Sequence, residues 1–379
     1  MAPYELRWGI LATGWIAEQF VTDLRADPSA RGQADIKHTV VAAASSRSAD
    51  QATKFLKEQS WSNAKAYGSY AELVADKDVD VIYVATPHSH HYQNVRLCLE
   101  ANKHVLCEKA FTVNAAQTEK LASIAKDKGL FLMEAVWTRY FPMSVQIREL
   151  IQKGELGSVF RTMADLSLGE DVESKFGTEH RMVKMDLAGG ALLDLGIYSL
   201  TWVFQTLYHT LPAAERKAPA VSAQMHKYTK TGADEHTSIL LSFPQGPSGA
   251  AYAQGIATTN LRVSSEPAKQ GTSGPAIRIQ GTKGEIQVDH PAYRPSRWRF
   301  IRADGSKDEY ENEMAEGVRG FAYEADEVAR CIRDGKKESE VLSLEESIVI
   351  MKVMDQAREQ NGLKYPDKLE TLDYPIEHW

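Results

Sequence analysis

The sequence has few cysteines and no long apolar run. Among its 379 residues only Cys98, Cys107 and Cys331 occur, too scattered for a disulfide framework or a CxxC metal site, so we expect small buried side chains. The first residues lead into an apolar strand without the basic head and apolar stretch of a signal peptide. No apolar run approaches the roughly 18 residues that indicate a membrane span. These absences predict a reducing, cytoplasmic setting and no membrane partner.

The sequence also lacks a basic block and any low-complexity tract. Lys and Arg number 44 against 51 Asp and Glu, and the resulting formal net charge of -7 argues against a nucleic-acid partner. With 43% hydrophobic and 25% charged residues, the composition is that of a globular protein rather than a disordered or fibrous one. The length predicts two domains, since one domain usually holds roughly 100 to 200 residues.

Short apolar runs alternate with helical patterns in the first third of the chain. Apolar residues such as Ile16, Phe20 and Leu24 recur at the helical spacing of three or four. The alternation predicts an α/β Rossmann domain with a parallel sheet over residues 1–136. The predicted strands are 6–11, 39–44, 79–84, 104–107 and 130–133.

After Phe141 the pattern changes to longer, alternating strands. Ile239, Leu241 and Phe243 share one face of the run 236–243, as expected of a half-buried antiparallel strand. We therefore predict an α+β C-terminal domain with an open, mostly antiparallel sheet over residues 137–379. Its other predicted elements are strands 249–256, 276–280, 285–288 and 298–302, loops 244–249 and 266–275, and closing helices 321–333 and 344–360.

The first strand meets the first helix in a glycine-containing turn. Its sequence, Ala12-Thr13-Gly14-Trp15-Ile16-Ala17, aligns with Gly-x-Gly-x-x-Gly/Ala, whose backbone brings amide N–H groups close to a pyrophosphate. Ala12 replaces the first glycine and, we expect, fits only with a negative φ. An ordinary small-residue turn is the alternative. Together with the surrounding strand-helix units, the pattern predicts a dinucleotide site formed by Ala12, Thr13, Gly14, Trp15 and Ile16.

The second strand ends without the acidic residue that usually binds the ribose of NAD. It ends instead at Ser45, Ser46 and Arg47, and two hydroxyls with a guanidinium suit the 2′-phosphate of NADP. An exposed arginine that opens the next helix is the alternative. The strand end therefore predicts NADP as the cofactor. Residues 27–37 lengthen the preceding crossover, and we expect them to form a surface insertion.

Three further motifs resemble those of a known family. The third predicted strand leads into Thr86-Pro87-His88-Ser89-His90-His91, and the fourth leads into Glu108-Lys109-Ala110. These resemble the Thr-Pro-Asn-x-x-His and Glu-Lys-Pro signatures of the Gfo/Idh/MocA family of sugar and diol oxidoreductases. The run Gly-Gly-Ala-Leu-Leu-Asp-Leu-Gly-Ile-Tyr at 189–198 resembles the family's second-domain motif. The resemblance therefore spans nearly the whole chain.

The sequence departs from the family pattern at Ala12, His88 and Ala110. The last departure leaves open whether the peptide bond after Lys109 is cis, as it often is in the family. The resemblance implies that the loops after these strands line the nicotinamide ribose, through Thr86, Pro87, His88, His91, Glu108 and Lys109. The histidines open a helix without a clustered carboxylate, so we predict no metal.

Lys109, Asp194 and Tyr198 are the candidate catalytic residues. Lys109 follows the carboxyl end of a strand, where open α/β sheets bind ligands, and Asp194 and Tyr198 share one face of a predicted helix. A free tyrosine has a pKa near 10, and a neighbouring ammonium lowers the pKa of a phenol because it stabilises the phenolate. We hypothesise that Tyr198 is the acid/base, assisted by Lys109, while Asp194 orients the sugar or the lysine.

Each of these residues also has a structural interpretation. In this interpretation Lys109 is an ordinary surface lysine. Asp194 is an acid whose charge interacts favourably with the helix dipole, and Tyr198 is a core tyrosine whose hydroxyl is hydrogen-bonded. Trp137 and Arg139 are expected to line the substrate pocket, with an apolar face and hydrogen bonds respectively, or else to be structural.

The run Glu-Ala-Val-Trp-Thr-Arg-Tyr-Phe-Pro at 134–142 is similar to one family branch, the NADP-dependent D-xylose 1-dehydrogenases and dimeric dihydrodiol dehydrogenases. The resemblance implies NADP-dependent oxidation of D-xylose or another aldose at C1 to the aldonolactone. A trans-1,2-dihydrodiol dehydrogenase is the near alternative. A non-catalytic NADP-sensing regulator is the alternative from another class, which the presence of Lys109 and Tyr198 disfavours. Because the family often buries its open sheet, we expect a homodimer through the sheet of the C-terminal domain.

Overall fold

The computed structural model describes residues 2–246, 249, 251–270, 272–312 and 314–376. Contacts divide the chain into two compact units: Met1–Tyr140 with Met314–Ile348 and Lys368–Trp379, and Phe141–Glu313 with Val349–Asp367. The boundary predicted between residues 136 and 137 stays a prediction. Residues 247 and 248 of the predicted loop 244–249, residue 250 of the predicted strand 249–256 and residue 271 of the predicted loop 266–275 lie outside the described residues.

Strands and helices are numbered separately, each in chain order. The strands are β1 Tyr4–Leu11, β2 Ile36–Ala44, β3 Lys65–Tyr67, β4 Val81–Val84, β5 His104–Glu108, β6 Leu132–Ala135, β7 Val159–Ser167, β8 Ala220–Lys227, β9 Asp234–Gln245, β10 Ala251–Asn260, β11 Ile277–Gly281, β12 Gly284–Val288, β13 Arg297–Arg302 and β14 Lys307–Glu311. The helices are α1 Trp15–Asp23, α2 Ala49–Glu58, α3 Tyr70–Ala75, α4 His88–Glu100, α5 Ala115–Lys128, α6 Pro142–Gln152, α7 Val172–Lys175, α8 Ile197–Leu207, α9 Phe321–Arg333, α10 Leu344–Gln360 and α11 Asp367–Glu370.

A six-stranded sheet, in the order β3-β2-β1-β4-β5-β6, forms the centre of the first unit. Every pairing in it is parallel, and all four residues of β4 are buried, as expected of a sheet covered by helices on both faces. The predicted Rossmann architecture is confirmed. The sequence pattern missed β3, which is too short to show a period.

An eight-stranded sheet, in the order β14-β13-β12-β11-β7-β10-β9-β8, forms the second unit. Only the β10 and β7 pair is parallel among the pairings described. Ile239, Leu241 and Phe243 are buried, whereas Leu240 is half exposed. The predicted α+β architecture with an open, mostly antiparallel sheet is confirmed. Strands β7, β8 and β14 were not predicted.

The expectation that no apolar run is long enough to span a membrane was wrong for the segment that includes α8. Residues Met185–Leu207 pass a test of length and composition, with a mean hydropathy of 1.4, but 94% of the tested window is buried inside the protein. All residues of α8 are buried. A helix that is buried on every side fits the core of a globular protein, and in this fold α8 packs against β7 and β10.

The insertion over residues 27–37 is more than a surface loop. It forms a short 3-10 helix, Pro28–Arg31, and the guanidinium of Arg31 makes a buried bidentate ion pair with Asp326 on α9, with N–O distances of 2.8 and 2.9 Å. His38 on β2 shares the same carboxylate, at 2.9 Å. The insertion therefore ties α9 to the sheet of the first unit, which the local sequence pattern could not reveal.

Candidate active site

The dinucleotide turn after β1 adopts a conformation that the sequence reasoning excluded. Ala12 has φ of 78°, in the left-handed region, and its N–H donates to the Ala44 carbonyl at 3.1 Å. The expectation of a negative φ was wrong. The turn requires the left-handed conformation that a glycine usually adopts. Alanine adopts it at a cost of about 1 kcal/mol, because its Cβ lies too close to the following carbonyl oxygen.

The N-terminus of α1 has the features of an anion site. Gly14 precedes the helix and supplies no side-chain cap, and a Cβ added at Gly14 would meet nothing within 4 Å. The first-turn N–H groups of such a helix have no intrahelical acceptor and carry the positive end of the helix dipole. Trp15, the first helical residue, is 64% exposed, which is unusual for a tryptophan. The open amides and the exposed indole fit a pyrophosphate-containing ligand.

The end of β2 has the polar groups expected for a phosphate. Ser45 is buried and its Oγ accepts the Arg47 N–H at 3.2 Å, while Ser46 and Arg47 are exposed. Within the described part of the chain, Arg47 has no ion-pair partner. Its positive charge stands beside the start of α2, whose first turn is capped by Ser48. An unpaired guanidinium with adjacent hydroxyls fits the 2′-phosphate of NADP.

His91 fixes the loop after β4 through two contacts with backbone carbonyls. His91 is fully buried; Nδ1 lies 2.8 Å from the Ala110 carbonyl oxygen and Nε2 lies 2.8 Å from that of Thr86. Burial lowers the pKa of His91 to about 4, although the hydrogen bonds to the two backbone carbonyls act in the opposite direction. His91 therefore links the loop after β4 to the loop after β5. Carbonyl oxygens face both ring nitrogens, and the predicted contact of His91 with the cofactor stays a prediction.

The other residues of this loop lie at the start of α4. Thr86 and His88 are buried, Pro87 is exposed, and the Thr86 hydroxyl accepts a hydrogen bond from the Asn94 amide at 3.2 Å. The loop is thus fixed from both its strand and its helix. Thr86, Pro87 and His88 remain predicted cofactor contacts.

The loop after β5 carries Lys109, and hydrogen bonds of the preceding residue, Glu108, fix it. Glu108 is buried; its carboxylate accepts a hydrogen bond from the Tyr83 hydroxyl and another from the Lys109 N–H, the latter at 3.3 Å. Lys109 itself is half-buried, and the Lys109–Ala110 peptide bond is cis. Glu108 thus positions the lysine backbone.

Two further acids are buried in the first unit. Glu134 on β6 accepts the Phe111 N–H at 3.0 Å and the Ser347 hydroxyl at 2.7 Å, and burial raises its pKa to about 7. Glu324 on α9 is fully buried, both its oxygens lack a hydrogen-bond partner among the described residues, and burial with the nearby Glu108 charge raises its pKa well above the usual value. Glu134 therefore anchors the segment that follows Lys109. Sequence reasoning did not single out either acid.

Arg139 and Trp137 are both buried in the first unit. Arg139 is fully buried and donates to the Glu346 carboxylate at 2.7 and 3.2 Å and to the Val341 carbonyl at 2.6 Å. Trp137 is buried and stacks on Phe321 with ring centroids 4.2 Å apart. A buried carboxylate and a carbonyl oxygen accept hydrogen bonds from the Arg139 guanidinium, and the expected pocket-lining role of Arg139 stays a prediction. The stack on Phe321 likewise gives Trp137 a core position.

In the second unit, Asp194 and Tyr198 lie on one continuous helical segment. Residues Leu192–Gly196 form a π-helical turn that passes directly into α8, so the predicted helix is present but wider at its start. Single π turns of this kind are frequent at functional sites. Asp194 and Tyr198 are both nearly buried, and the Tyr198 ring lies 5.9 Å from that of Tyr293.

Arg181 is a site residue that sequence reasoning missed. Its guanidinium donates to both oxygens of Asp194, at 3.0 and 3.4 Å, while the arginine side chain remains 53% exposed. A bidentate arginine fixes the plane of a carboxylate. The distance of thirteen residues from Asp194 along the chain gave no periodic signal, so only the fold shows the pair.

The two units thus hold separate groups of predicted residues. The described part of the first unit holds the dinucleotide turn, the β2 end and Lys109; the second holds Asp194, Tyr198 and Arg181. Cys98, Cys107 and Cys331 are free and buried, as expected. Across the residues that the structure describes, no group of three or more His, Cys, Asp or Glu is placed to hold a metal ion.

The Rossmann unit, the open sheet and these motifs define a class of dinucleotide-dependent oxidoreductases, and comparison with known proteins agrees. Residues 6–136 match the oxidoreductase family with an NAD-binding Rossmann fold, and residues 144–287 match the GFO/IDH/MocA C-terminal domain. The chain belongs to the Gfo/Idh/MocA family of oxidoreductases.

Individual relatives cover nearly all of the chain. It is 54% identical to D-xylose 1-dehydrogenase (NADP(+)) of Hypocrea jecorina, over 98% of this chain and 96% of that one. It is 34% identical to trans-1,2-dihydrobenzene-1,2-diol dehydrogenase of Bos taurus, over 95% and 98%. A solved 3-ketoreductase from Actinomadura kijaniata, in complex with NADP, shares the fold with a TM-score of 0.72 and 21% identity, over 94% and 98%.

Proposed function

We propose that this protein catalyses the NADP-dependent oxidation of D-xylose, or a closely related aldose, at C1 to give the aldonolactone. The observation that carries the proposal is the 54% identity, over nearly the full length of both chains, to a protein named D-xylose 1-dehydrogenase (NADP(+)). Lys109, Asp194 and Tyr198 supply the polar groups that this chemistry requires. The class, an oxidoreductase, follows from the family.

The residues of the first unit fit NADP better than NAD. The family description names NAD, whereas the name of the 54% identical relative gives NADP(+). The chain's own residues favour the second, because the end of β2 offers Ser45, Ser46 and an unpaired Arg47 within the described chain, and no carboxylate for the ribose hydroxyls. When bound, NADP supplies the nicotinamide carbon that accepts the hydride. The uncapped amides of α1 would hold its pyrophosphate.

The chain's own groups must position the sugar and move one proton. Tyr198 takes the proton from the anomeric hydroxyl, and Lys109 supplies an ammonium that favours the phenolate and hydrogen-bonds the reacting oxygen. Asp194, held by Arg181, accepts hydrogen bonds from sugar hydroxyls. Loss of hydride from C1 and of the hydroxyl proton leaves a carbonyl at C1, which in a pyranose is the lactone.

A dihydrodiol dehydrogenase is the second candidate, supported by the relatives at 34% identity. The pair of Arg181 and Asp194 favours a sugar over an aromatic diol, because a sugar brings more hydroxyl groups that can donate hydrogen bonds to the carboxylate. Turnover assays separate the two candidates: NADPH absorbance is expected with D-xylose and much less with an aromatic trans-dihydrodiol. Activity with the diol alone reverses the assignment, and activity with neither removes both.

The Tyr198→Phe variant tests the assigned proton transfer. It removes only the hydroxyl, so we expect unchanged NADP affinity, measured by quenching of intrinsic fluorescence, to which exposed Trp15 contributes. Turnover should fall by roughly 100-fold or more, the usual contribution of general acid–base catalysis. The variant Tyr310→Phe, which removes the hydroxyl of a half-buried tyrosine on β14, is the matched control. Wild-type turnover by Tyr198→Phe would exclude Tyr198 as the acid/base.

We also propose a homodimer formed through the open sheet of the second unit. Gly255 of β10 approaches Val203 of α8, so the alternate residues face away from the helix. This outer face, formed by Phe160 with Leu240 and Tyr252, exposes 47, 50 and 58% of these apolar side chains. A contiguous apolar face of this kind suits an isologous contact between copies.

The dimer is tested by the double variant Leu240→Arg with Tyr252→Arg. Two added charges on each copy of the face would oppose their burial, so sedimentation should change from dimer to monomer at micromolar concentration. Val263→Arg, which charges another exposed apolar side chain of the second unit, should remain dimeric. A monomeric wild-type protein contradicts the proposal.

We further propose a cytoplasmic location. The support is the set of three free, buried cysteines, which suits a reducing compartment. Recovery of the NADP-dependent activity in a secreted or membrane fraction of the cell would contradict it.

A further inference from the structure

The helical segment that carries Asp194 and Tyr198 begins without a cap of its own. Its start is Gly189-Gly190-Ala191, and no side chain of the segment caps the π turn. A helix N-terminus leaves N–H groups without intrahelical acceptors, and buried ones need a partner from elsewhere. The turn is fully buried, so solvent does not supply that partner.

Asp234, at the start of β9, supplies the missing acceptor. Its Oδ2 accepts the Leu192 N–H at 2.7 Å and the Thr237 hydroxyl at 3.0 Å, and its side chain is fully buried. Oδ1 has no hydrogen-bond partner among the described residues and lies against Gly190, where an added Cβ would be 2.0 Å away. Gly190 has φ of 139°. The glycine therefore admits the carboxylate to the end of the helix.

The neighbouring glycine is held on its other side. The Tyr365 hydroxyl donates to the Gly189 carbonyl at 3.2 Å. A Cβ at Gly189 would lie 2.5 Å from the carbonyl oxygen of Arg181, the residue whose side chain holds Asp194. The double glycine thus allows two close approaches at the same turn, one by Asp234 and one by the Arg181 backbone.

The charges around Asp234 favour an ionised cap. Burial raises its pKa to about 6, whereas the Leu192 N–H, the Thr237 hydroxyl and the positive charge of Arg358 on α10 act in the opposite direction. The positive end of the helix dipole adds to the effect of Arg358. At pH 7 the carboxylate form therefore predominates and accepts both hydrogen bonds.

We propose that Asp234 is a positioning residue for the reaction: through the Leu192 N–H it fixes the π turn and so the placement of Asp194 and Tyr198. The inference rests on the proposed function, since it assumes that these two residues act on the substrate. Asp234 itself touches no reacting atom. Its removal should therefore disturb the geometry of the site and leave NADP binding intact.

Three variants test the inference by steady-state kinetics on the folded protein. Asp234→Ala removes the acceptor, and a misplacement of about 1 Å at the reacting groups would lower kcat by roughly 100-fold, with the KM for NADP unchanged. Asp234→Asn keeps an acceptor and should retain kcat within about threefold of wild type. Asp304→Ala, which removes an exposed carboxylate that accepts the Ser306 N–H at 2.9 Å, is the matched control and should leave kcat unchanged.

Folded Asp234→Ala with wild-type kcat overturns the inference, and so does a large loss in Asp234→Asn. If Asp234→Ala does not fold, Thr237→Val decides: loss of the hydroxyl that orients the carboxylate should lower kcat by about threefold to tenfold, the size expected for the loss of one hydrogen bond. An unchanged kcat in Thr237→Val then contradicts the role.

A readout that does not need activity separates this inference from the proposed function. Amide hydrogen exchange of Leu192–Gly196 should be faster in Asp234→Ala than in wild type, because the turn opens more readily without its cap. Faster exchange in a protein that oxidises neither D-xylose nor the diol supports the cap while the proposed function fails. Unchanged exchange overturns the cap itself.

Discussion

At the scale of single residues, the chemistry of a side chain was easier to predict than its conformation or its partners. NADP could be predicted from side-chain chemistry, because the second strand ends in Ser45, Ser46 and Arg47 and has no carboxylate there. The left-handed φ of Ala12 could not, because side-chain type does not fix backbone geometry. The charge of Arg139 suggested a ligand, whereas its partner Glu346 lies 207 residues away along the chain. Such pairs become visible only in the fold.

Ala12→Gly should stabilise the protein. The change removes the conformational strain of a left-handed alanine, which is about 1–2 kcal/mol. Glycine also gives the unfolded chain more conformational entropy, which offsets about 0.5–1 kcal/mol of this gain. We expect a net gain of about 0.5–1 kcal/mol in the free energy of unfolding, measured by urea denaturation. The control Ala122→Gly, inside α5, should lose about 1 kcal/mol. A loss in both variants would show that the turn does not need a positive φ.

Glu134 should make the protein less stable as the pH rises. Its pKa is about 7 in the folded protein against an ordinary value of 4.5, so between these values the unfolded chain has released a proton that the folded protein keeps. The contribution is fully present below pH 4.5 and is lost as the pH passes 7. Its size is on the order of 3 kcal/mol.

The measurement for Glu134 is the free energy of unfolding at pH 5 and at pH 8. Glu134→Gln keeps the shape and an acceptor for the Phe111 N–H but does not titrate. We expect the wild type to lose more stability between the two pH values than the variant. Equal losses would mean that Glu134 is ionised throughout.

At the scale of elements, the periodicity of apolar residues predicted the long helices but not the residues that cap their N-termini. The spacing of apolar residues predicted 321–333 and 344–360, which are the bounds of α9 and α10. The caps of two important helices come from distant residues: Asp234 caps the π turn before α8, and Asp23 caps α9. Capping motifs are read over three or four residues, so a cap from elsewhere in the chain leaves no local signal.

Asp23→Ala should destabilise the first unit. The buried carboxylate of Asp23 accepts the N–H groups of Gly320 and Phe321, each at 2.8 Å, at the N-terminus of α9. Removal of a buried charged cap should cost about 2–3 kcal/mol of unfolding free energy. Asp27→Ala removes an exposed cap, the acceptor of the Ser29 N–H at 2.9 Å, and should lower the free energy of unfolding by much less. Equal thermal shifts in the two variants would argue against the cap on α9.

At the scale of the whole molecule, composition and pattern order predicted both architectures. The alternation of strands and helices indicated the parallel sheet, and the longer alternating strands indicated the open sheet. The sequence did not predict that residues 314–348 belong to the first unit. The apolar spacing of α9 predicts a helix but does not indicate which sheet that helix packs against. The family motifs pointed to the reaction, and the fold added Arg181 and Asp234.

The fate of the C1 hydrogen tests the proposed reaction most directly. The enzyme is incubated with NADP and D-xylose deuterated at C1, and the reduced cofactor and the sugar product are analysed by mass spectrometry. Hydride transfer from C1 predicts one deuterium in each reduced nicotinamide and an equal amount of unlabelled xylonolactone. Reduced cofactor without deuterium, or no reduction of NADP by this sugar, would contradict the oxidation of D-xylose at C1.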